Sequence, residues 1–556
     1  MIRRIFDKIG YTLLIFGISS FIFIQSGCSL RQGETEESNM QASETTGIET
    51  TQEASETAPI KSNLIVGYSQ EPVMLNPFIV GGDNEATRDI VSPILLGLMT
   101  INDNLEYIPV LIDEVPSLQN GLVKSNPFSV TYKIRETAIW SDGIPLTSAD
   151  VKFTWETIMN PKNFIASREG YEDITSIQTP DEKTVVVSFA EVYPAWKDLF
   201  NHVLPMHGLE GKDFNTAMNH ELIGSGPFVF KEWVAGDHIS LERNPVFWGE
   251  EKPKLELIVF RFIPRIEDIL TLLEIGDIDM VVLPEQEMST IEKLESMDGI
   301  SLVISNSLKW EHLGFCQLKE TPLRDINVRK AICYAIDRNK IVNQLFMGKT
   351  DVSQSFYNPF QSFYDPAWQQ YEFNKEIALE LMTESGYGAD NTIDLKFTTT
   401  VGNPLRDQIQ AIIQEDLKQI GINVQIENFN SEELFTDKFP NGDFEIGELL
   451  WTGTSDPDVS YLFSSKMLPN HGGQNYYYYQ NQQVTELLDS ARSEIDEVKR
   501  DELYVQAQRV MADDAIILPL FNHVMLVAHN DKLGGIKVNP SEAGMFWNTR
   551  EWYFSN

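Results

Sequence analysis

Apolar residues Ile393, Leu395 and Phe397 alternate with polar ones, the period-two pattern of a half-buried strand. The period then changes. Ile409, Ile413, Leu417 and Ile420 recur every three or four positions and share one helical face. Asn403 stands where a side-chain oxygen caps a helix, with Pro404 at the first helical position and Gly421 at the stop. Ile422, Val424 and Ile426 alternate again. Strand, helix and strand over so short a span predict a parallel pair with a right-handed crossover. A second helix is predicted over 328–347, capped by Asp325 or Asn327, with Ile332, Ala335, Ile336, Ile341, Leu345 and Phe346 on its apolar face and Gly348 ending it. Asn63 to Ser69 reads as a strand that opens the folded part. The run 444–450 reads as another buried strand, and 451–458 (WTGTSDPD) as the loop beyond its carboxyl end. Ligands of open α/β sheets bind outside such ends. Prolines and glycines punctuate the chain, and no short repeat recurs, so the class is mixed α/β.

The first residues follow another pattern. Arg3, Arg4 and Lys8 precede a mostly apolar run from Tyr11 to Ile24, which is short for a spanning helix of roughly 20 residues. Ser26-Gly27-Cys28 follows and resembles a bacterial lipobox, with Gln25 where an aliphatic residue is usual. The expectation is a secretory signal over 1–27 and an acylated, membrane-anchored Cys28. Residues 29–60 hold no aromatic and few apolar side chains, so they bury too little surface to offset ordering entropy and read as a tether.

Composition narrows the chemistry. The chain has 556 residues, 42% of them hydrophobic, and a formal net charge of −39, which repels phosphate backbones and argues against a nucleic-acid partner. Three cysteines are too few for a disulfide framework, and Cys316 and Cys333 are expected as buried thiols. No G-x-S-x-G elbow or phosphate-cradling G-x-x-x-x-G-K occurs. His220-Glu-Leu-Ile-Gly224 begins like a zinc helix but has glycine where the second histidine is required. Neither catalysis, a cofactor nor a metal is therefore expected.

Three stretches carry a resemblance. KIRETAIWSDGIPLTSADVKFTW (133–155), GSGPFVFKEW (224–233) running on through ERNPVFWG (242–249), and VRKAICYAIDR (328–338) resemble, in order, the signature blocks of the family 5 extracellular solute-binding proteins, the peptide- and nickel-type receptors of ABC importers. The resemblance covers roughly 61–556. It implies a periplasmic-binding-protein-like fold of type II, two α/β lobes joined by two crossing strands, with lobe one over 61–307 and 521–556, lobe two over 308–520 and an extra subdomain over about 100–215. It also implies a monomer that holds a peptide or other small solute between the lobes and delivers it to permease subunits served by separate ATPase subunits.

The same resemblance implies site residues. In peptide-binding members a tryptophan, two small residues and an aspartate occupy the segment matched here by Trp451, Thr452, Gly453 and Thr454, and the aspartate pairs with the ligand's α-amino group. Thr454 departs from that pattern. Either Asp456 supplies the carboxylate, or the amine is held elsewhere, or the ligand has no free amine; Thr454 thus keeps open a non-peptide solute such as a sugar oligomer, nickel chelate or opine. A sensor that presents peptide to a signalling receptor is a further alternative. Asn84 and Glu85 match a lobe-one loop facing the cleft, and Phe521 and His523 match the return crossing that borders it. Tyr476 to Tyr479 is expected to alternate faces along a strand, half of it in the core.

Overall fold

The computed structural model describes residues 61–219, 222–283 and 288–556. The signal, Cys28 and tether expected at the amino end lie outside them. Ten strands form one sheet in the order Ile422–Ile426, Ile393–Thr398, Ile446–Thr452, Ile300–Phe315, Ile517–Asn530, Met280–Leu283, Asn63–Tyr68, Leu257–Phe262, His238–Arg243 and Phe228–Val234. Among the described residues, Ile300–Phe315 and Ile517–Asn530 are the two longest strands, and they lie antiparallel at the middle of that order.

Burial divides along those strands. One core runs from Trp310 to Phe521 and holds Phe397, Ile413 and Tyr477. A second gathers Leu64 to Met280 with Val527 and the C-terminal Phe546 and Trp552, and a smaller third packs Ile269, Leu273 and Val524 beside it. The fold is thus two-lobed, and the crossing strands supply residues to the core on each side. Their ladder breaks where the cores meet: Asn306 pairs with Val524 and Trp310 with Asn522, so residues 307–309 stand opposite His523 alone. An unequal count of this kind bends and twists a strand pair.

The predicted crossover is present. Asn403 accepts from the amides of Leu405 and Arg406, the helix spans Pro404–Lys418, Gly421 takes φ 85°, and Ile393–Thr398 pairs parallel with Ile422–Ile426. The helix predicted over 328–347 is instead two, Ile326–Ala335 and Arg338–Phe346. Ile336 is extended, and Asp337 accepts from the amide of Lys340, so a carboxylate with local capping power restarts the helix inside a continuous apolar pattern. Asp325, not Asn327, caps the first. Cys316 and Cys333 are buried free thiols, as expected.

The three signature blocks prove to be architectural. In the first, Trp140 is fully buried, and Thr147 and Asp150 form a capping box on the helix Ser148–Met159, which lies against a four-stranded antiparallel sheet of Val123–Ser125, Phe128–Lys133, Thr184–Phe189 and Ile174–Asp181. In the second, the glycines let the chain pass the segment after Glu85–Val91: a Cβ on Gly224 would sit 2.0 Å from the Ile94 carbonyl, and one on Gly226 2.2 Å from that of Pro93. In the third, the buried Arg338 guanidinium donates to the carbonyls of Ser353, Pro519, Trp368 and Tyr371, and Arg329 to those of Leu323 and Asp514. Planar donor forks tie loops that have no ladder of their own.

Candidate functional site

The strand Ile446–Thr452 reaches two residues further than its apolar run predicts, so Trp451 and Thr452 belong to the strand, paired with Trp310 and Lys309. Beyond it the Gly453 amide donates to the Leu308 carbonyl at 2.8 Å. Trp451 is half-buried. Its ring stacks at 18° on Tyr476, and its indole N–H donates to the Tyr477 hydroxyl at 3.3 Å. Thr452 and Thr454 are exposed. Phe435 and Tyr461 meet the Trp451 ring edge-on, and it stays partly exposed.

Asp456 does not take the place of the absent aspartate. It receives a two-pronged bond from Arg500 of the helix Glu497–Asp513, at 2.7 and 3.0 Å, with both side chains nearly withdrawn from solvent. That geometry occupies the carboxylate with its own counter-ion. Asp456 thus holds the loop to its lobe, and the Thr454 hydroxyl bonds back to the Asp456 carbonyl.

Other expected residues are also placed. Asn84 caps the helix Glu85–Val91 by accepting from the Thr87 amide, a local role; Glu85 beside it is exposed in the first turn. Phe521, expected at the cleft, is fully buried and packs on Phe346 with ring centroids 4.6 Å apart, because its strand enters the second lobe's core there. A side chain so enclosed lines no cleft. His523 sits opposite the broken ladder, 2.8 Å from Glu311. Tyr476 to Tyr479 form a turn, not a strand. The Asn475 side chain bridges Ser464 and Tyr479, and three of the four tyrosines are buried.

Charged residues invisible in local spacing complete the picture. Glu311 on the first crossing strand pairs with Arg406 at 2.8 Å and with His523. Glu448 lies on the same face of the neighbouring strand, 1% exposed, with neither carboxylate oxygen bonded. Burial, and then the Glu311 charge, push its pKa well up, so the proton stays on. Across the lobes, Lys197 meets Glu497 at 2.6 Å, Ile495 packs against the first lobe's core, and Glu542 accepts from the amide and hydroxyl of Ser455 at 3.3 Å each. Asp198, bonded by the Tyr107 hydroxyl, lies close by; burial, with the Glu542 and Asp456 charges, raises its pKa to about 8. No group of three or more ligating side chains suited to a metal occurs among the described residues, and no helix there is long and apolar enough to cross a membrane.

Two lobes, joined by a broken ladder and touching through a loop at a strand's end, are the geometry of a protein that closes on a guest. The chain belongs to the bacterial extracellular solute-binding proteins of family 5, whose sequence profile matches residues 115–474. It is 27% identical over 518 residues to the oligopeptide-binding protein AppA of Bacillus subtilis, covering 89% of this chain and 92% of that one. It is 23% identical over 508 residues to the dipeptide-binding protein DppE of the same organism, covering 86% and 90%. Among solved structures, Bacillus subtilis AppA in complex with a nonapeptide superposes with a TM-score of 0.65 at 25% identity, over 89% of this chain and 99% of that one. The ABC transporter substrate-binding protein CtaP of Listeria monocytogenes superposes at 0.78 and 23%, over 90% and 100%. The signature blocks of the sequence thus name the family correctly, and its members are binding proteins of transporters.

Proposed function

We propose that this protein is the receptor of an ABC importer that captures peptides between its lobes, is anchored outside the cell membrane through an acylated Cys28, and hands its ligand to a permease driven by separate ATPase subunits. The lobes divide near residues 307–309 and His523, where the ladder breaks. Phe521 then falls to the second lobe rather than the first, since it packs there. The observation that carries the reading is the half-open Trp451 with exposed Thr452 and Thr454 beside it, at the end of a strand that faces the other lobe through Ser455 and Glu542. An extended peptide laid on such an end gains main-chain hydrogen bonds and stacks one flank on the indole, independent of its sequence. Ligand binding closes the lobes by favouring the shut form, and no bond in the ligand changes. The names of AppA and DppE support a peptide.

The test is native mass spectrometry of protein purified from its own cells, followed by calorimetry with the ligand found. A mixture of peptides is expected. A sugar oligomer, a metal chelate or an opine as the retained species overturns the peptide assignment while leaving the receptor reading in place.

A further inference from the structure

A cavity of about 140 Å³ lies inside the first lobe, between the hairpin Met99–Ile101/Tyr107–Pro109, the segment after Glu85–Val91 and the C-terminal stretch around 542–550. Leu95, Met99, Ile108, Phe247 and Trp547 give it apolar walls. A closed apolar cavity of about 150 Å³ accommodates one benzene ring. Asp198 and Glu542 supply its acidic lining. Their partners are neutral: the Tyr107 hydroxyl for Asp198, and the Ser455 amide and hydroxyl for Glu542. Among the described residues, neither carboxylate has a basic group within ion-pairing distance. Of the basic groups that line the cavity, Lys197 is taken by Glu497, Arg550 lies 3.8 Å from Glu551 and His202 is bonded to the Leu95 carbonyl; Arg500 is taken by Asp456, and Arg88, whose Nε bonds nothing, influences Glu542 only from beyond that distance. Half-buried carboxylates without a bonded counter-ion are costly, and here Asp198 escapes the cost by keeping a proton up to about pH 8. A cation entering the cavity removes the same cost. Glu542 also touches Ser455, next to Thr454, so the acidic side abuts the loop at the end of the ligand-facing strand.

We propose that this cavity is a side pocket of the ligand cleft, that it takes a compact apolar group of at most one aromatic ring carrying a primary ammonium, and that Asp198 and Glu542 are the counter-ions of that ammonium. For a peptide this is the first residue with its free amine, an assignment that rests on the peptide reading; the pocket itself does not.

Calorimetry with three probes tests it: Phe-Ala-Ala-Ala, its N-acetylated form, and phenethylamine. The free tetrapeptide is expected to bind at least about tenfold more tightly than the acetylated one, since acetylation leaves the carboxylates unpaired. Phenethylamine is expected to bind at millimolar concentration. Asp198→Asn is expected to erase the difference between the two peptides. Ala543→Leu, which fills the cavity, is expected to weaken Phe-Ala-Ala-Ala and spare Gly-Ala-Ala-Ala, with melting temperatures confirming that both variants fold. Phenethylamine binding with no peptide binding keeps the pocket and removes the peptide reading. Equal affinity for the two peptides, or none for either, together with no phenethylamine binding, overturns the pocket.

Discussion

At the scale of single residues, the molecule holds several acids where water does not reach, and they behave differently. Glu311 is paired with Arg406 and with His523, whereas Glu448 beside it bonds nothing through its carboxyl and is pushed by burial toward its protonated form. Removing one member of a buried pair leaves the other uncompensated, at a cost of about 3–5 kcal/mol. Glu311→Gln is therefore expected to lower stability by about that much in chemical denaturation, while Glu448→Gln, which swaps one neutral side chain for another, is expected to change it by less than about 1 kcal/mol. Asp89 gives a pH signature. It is 2% exposed, receives the Tyr68 hydroxyl, and burial raises its pKa to about 7. The folded state thus keeps this proton up to about pH 7, whereas the unfolded chain releases it near pH 4. Between those values the folded state binds more protons, so stability falls as pH rises. Asp89→Asn is expected to flatten that part of the curve of melting temperature against pH, relative to the parent; an unchanged slope contradicts the assignment.

At the scale of elements, legibility depended on how local the cause was. The crossover around Pro404–Lys418 was readable because its cap, its stop and its periodicity all lie within the segment. The break at Ile336 was not, because the apolar pattern continues through it and Asp337 reads as an ordinary mid-helix polar residue until its carboxylate is seen on the Lys340 amide. The tyrosine run reads as a strand but forms a turn, because the Asn475 side chain sets it. The candidate site shows the same division. Trp451 and the open Thr452 and Thr454 could be singled out from one short stretch, but Asp198, Glu497, Arg500 and Glu542 come from distant segments and carry no spacing signal in a chain with 82 acidic residues. Local capping is directly testable: Asn403→Ala, which removes the side-chain oxygen that accepts from the Leu405 and Arg406 amides, is expected to cost about 1 kcal/mol in denaturant titration.

At the scale of the whole molecule, the two cores communicate through the paired crossing strands and through the contact of Lys197, Ile495 and Glu542 with the far side. The crossing strands are covalent and persist; the contact is mostly polar and separable. Lys197→Glu replaces an attraction to Glu497 with a repulsion. In the absence of ligand it is expected to enlarge the radius of gyration measured by X-ray scattering, while a saturating ligand restores the parent value. The path of the chain adds one more consequence. At the start of the described chain Lys61 is held by Asp279, near its end Ser555 is held by Lys532, and both anchorages belong to the body built from Leu64 to Met280. The other body is an excursion that leaves along one strand and comes home along the next. A pull on the two ends of the described chain therefore loads one half and leaves the other unstressed.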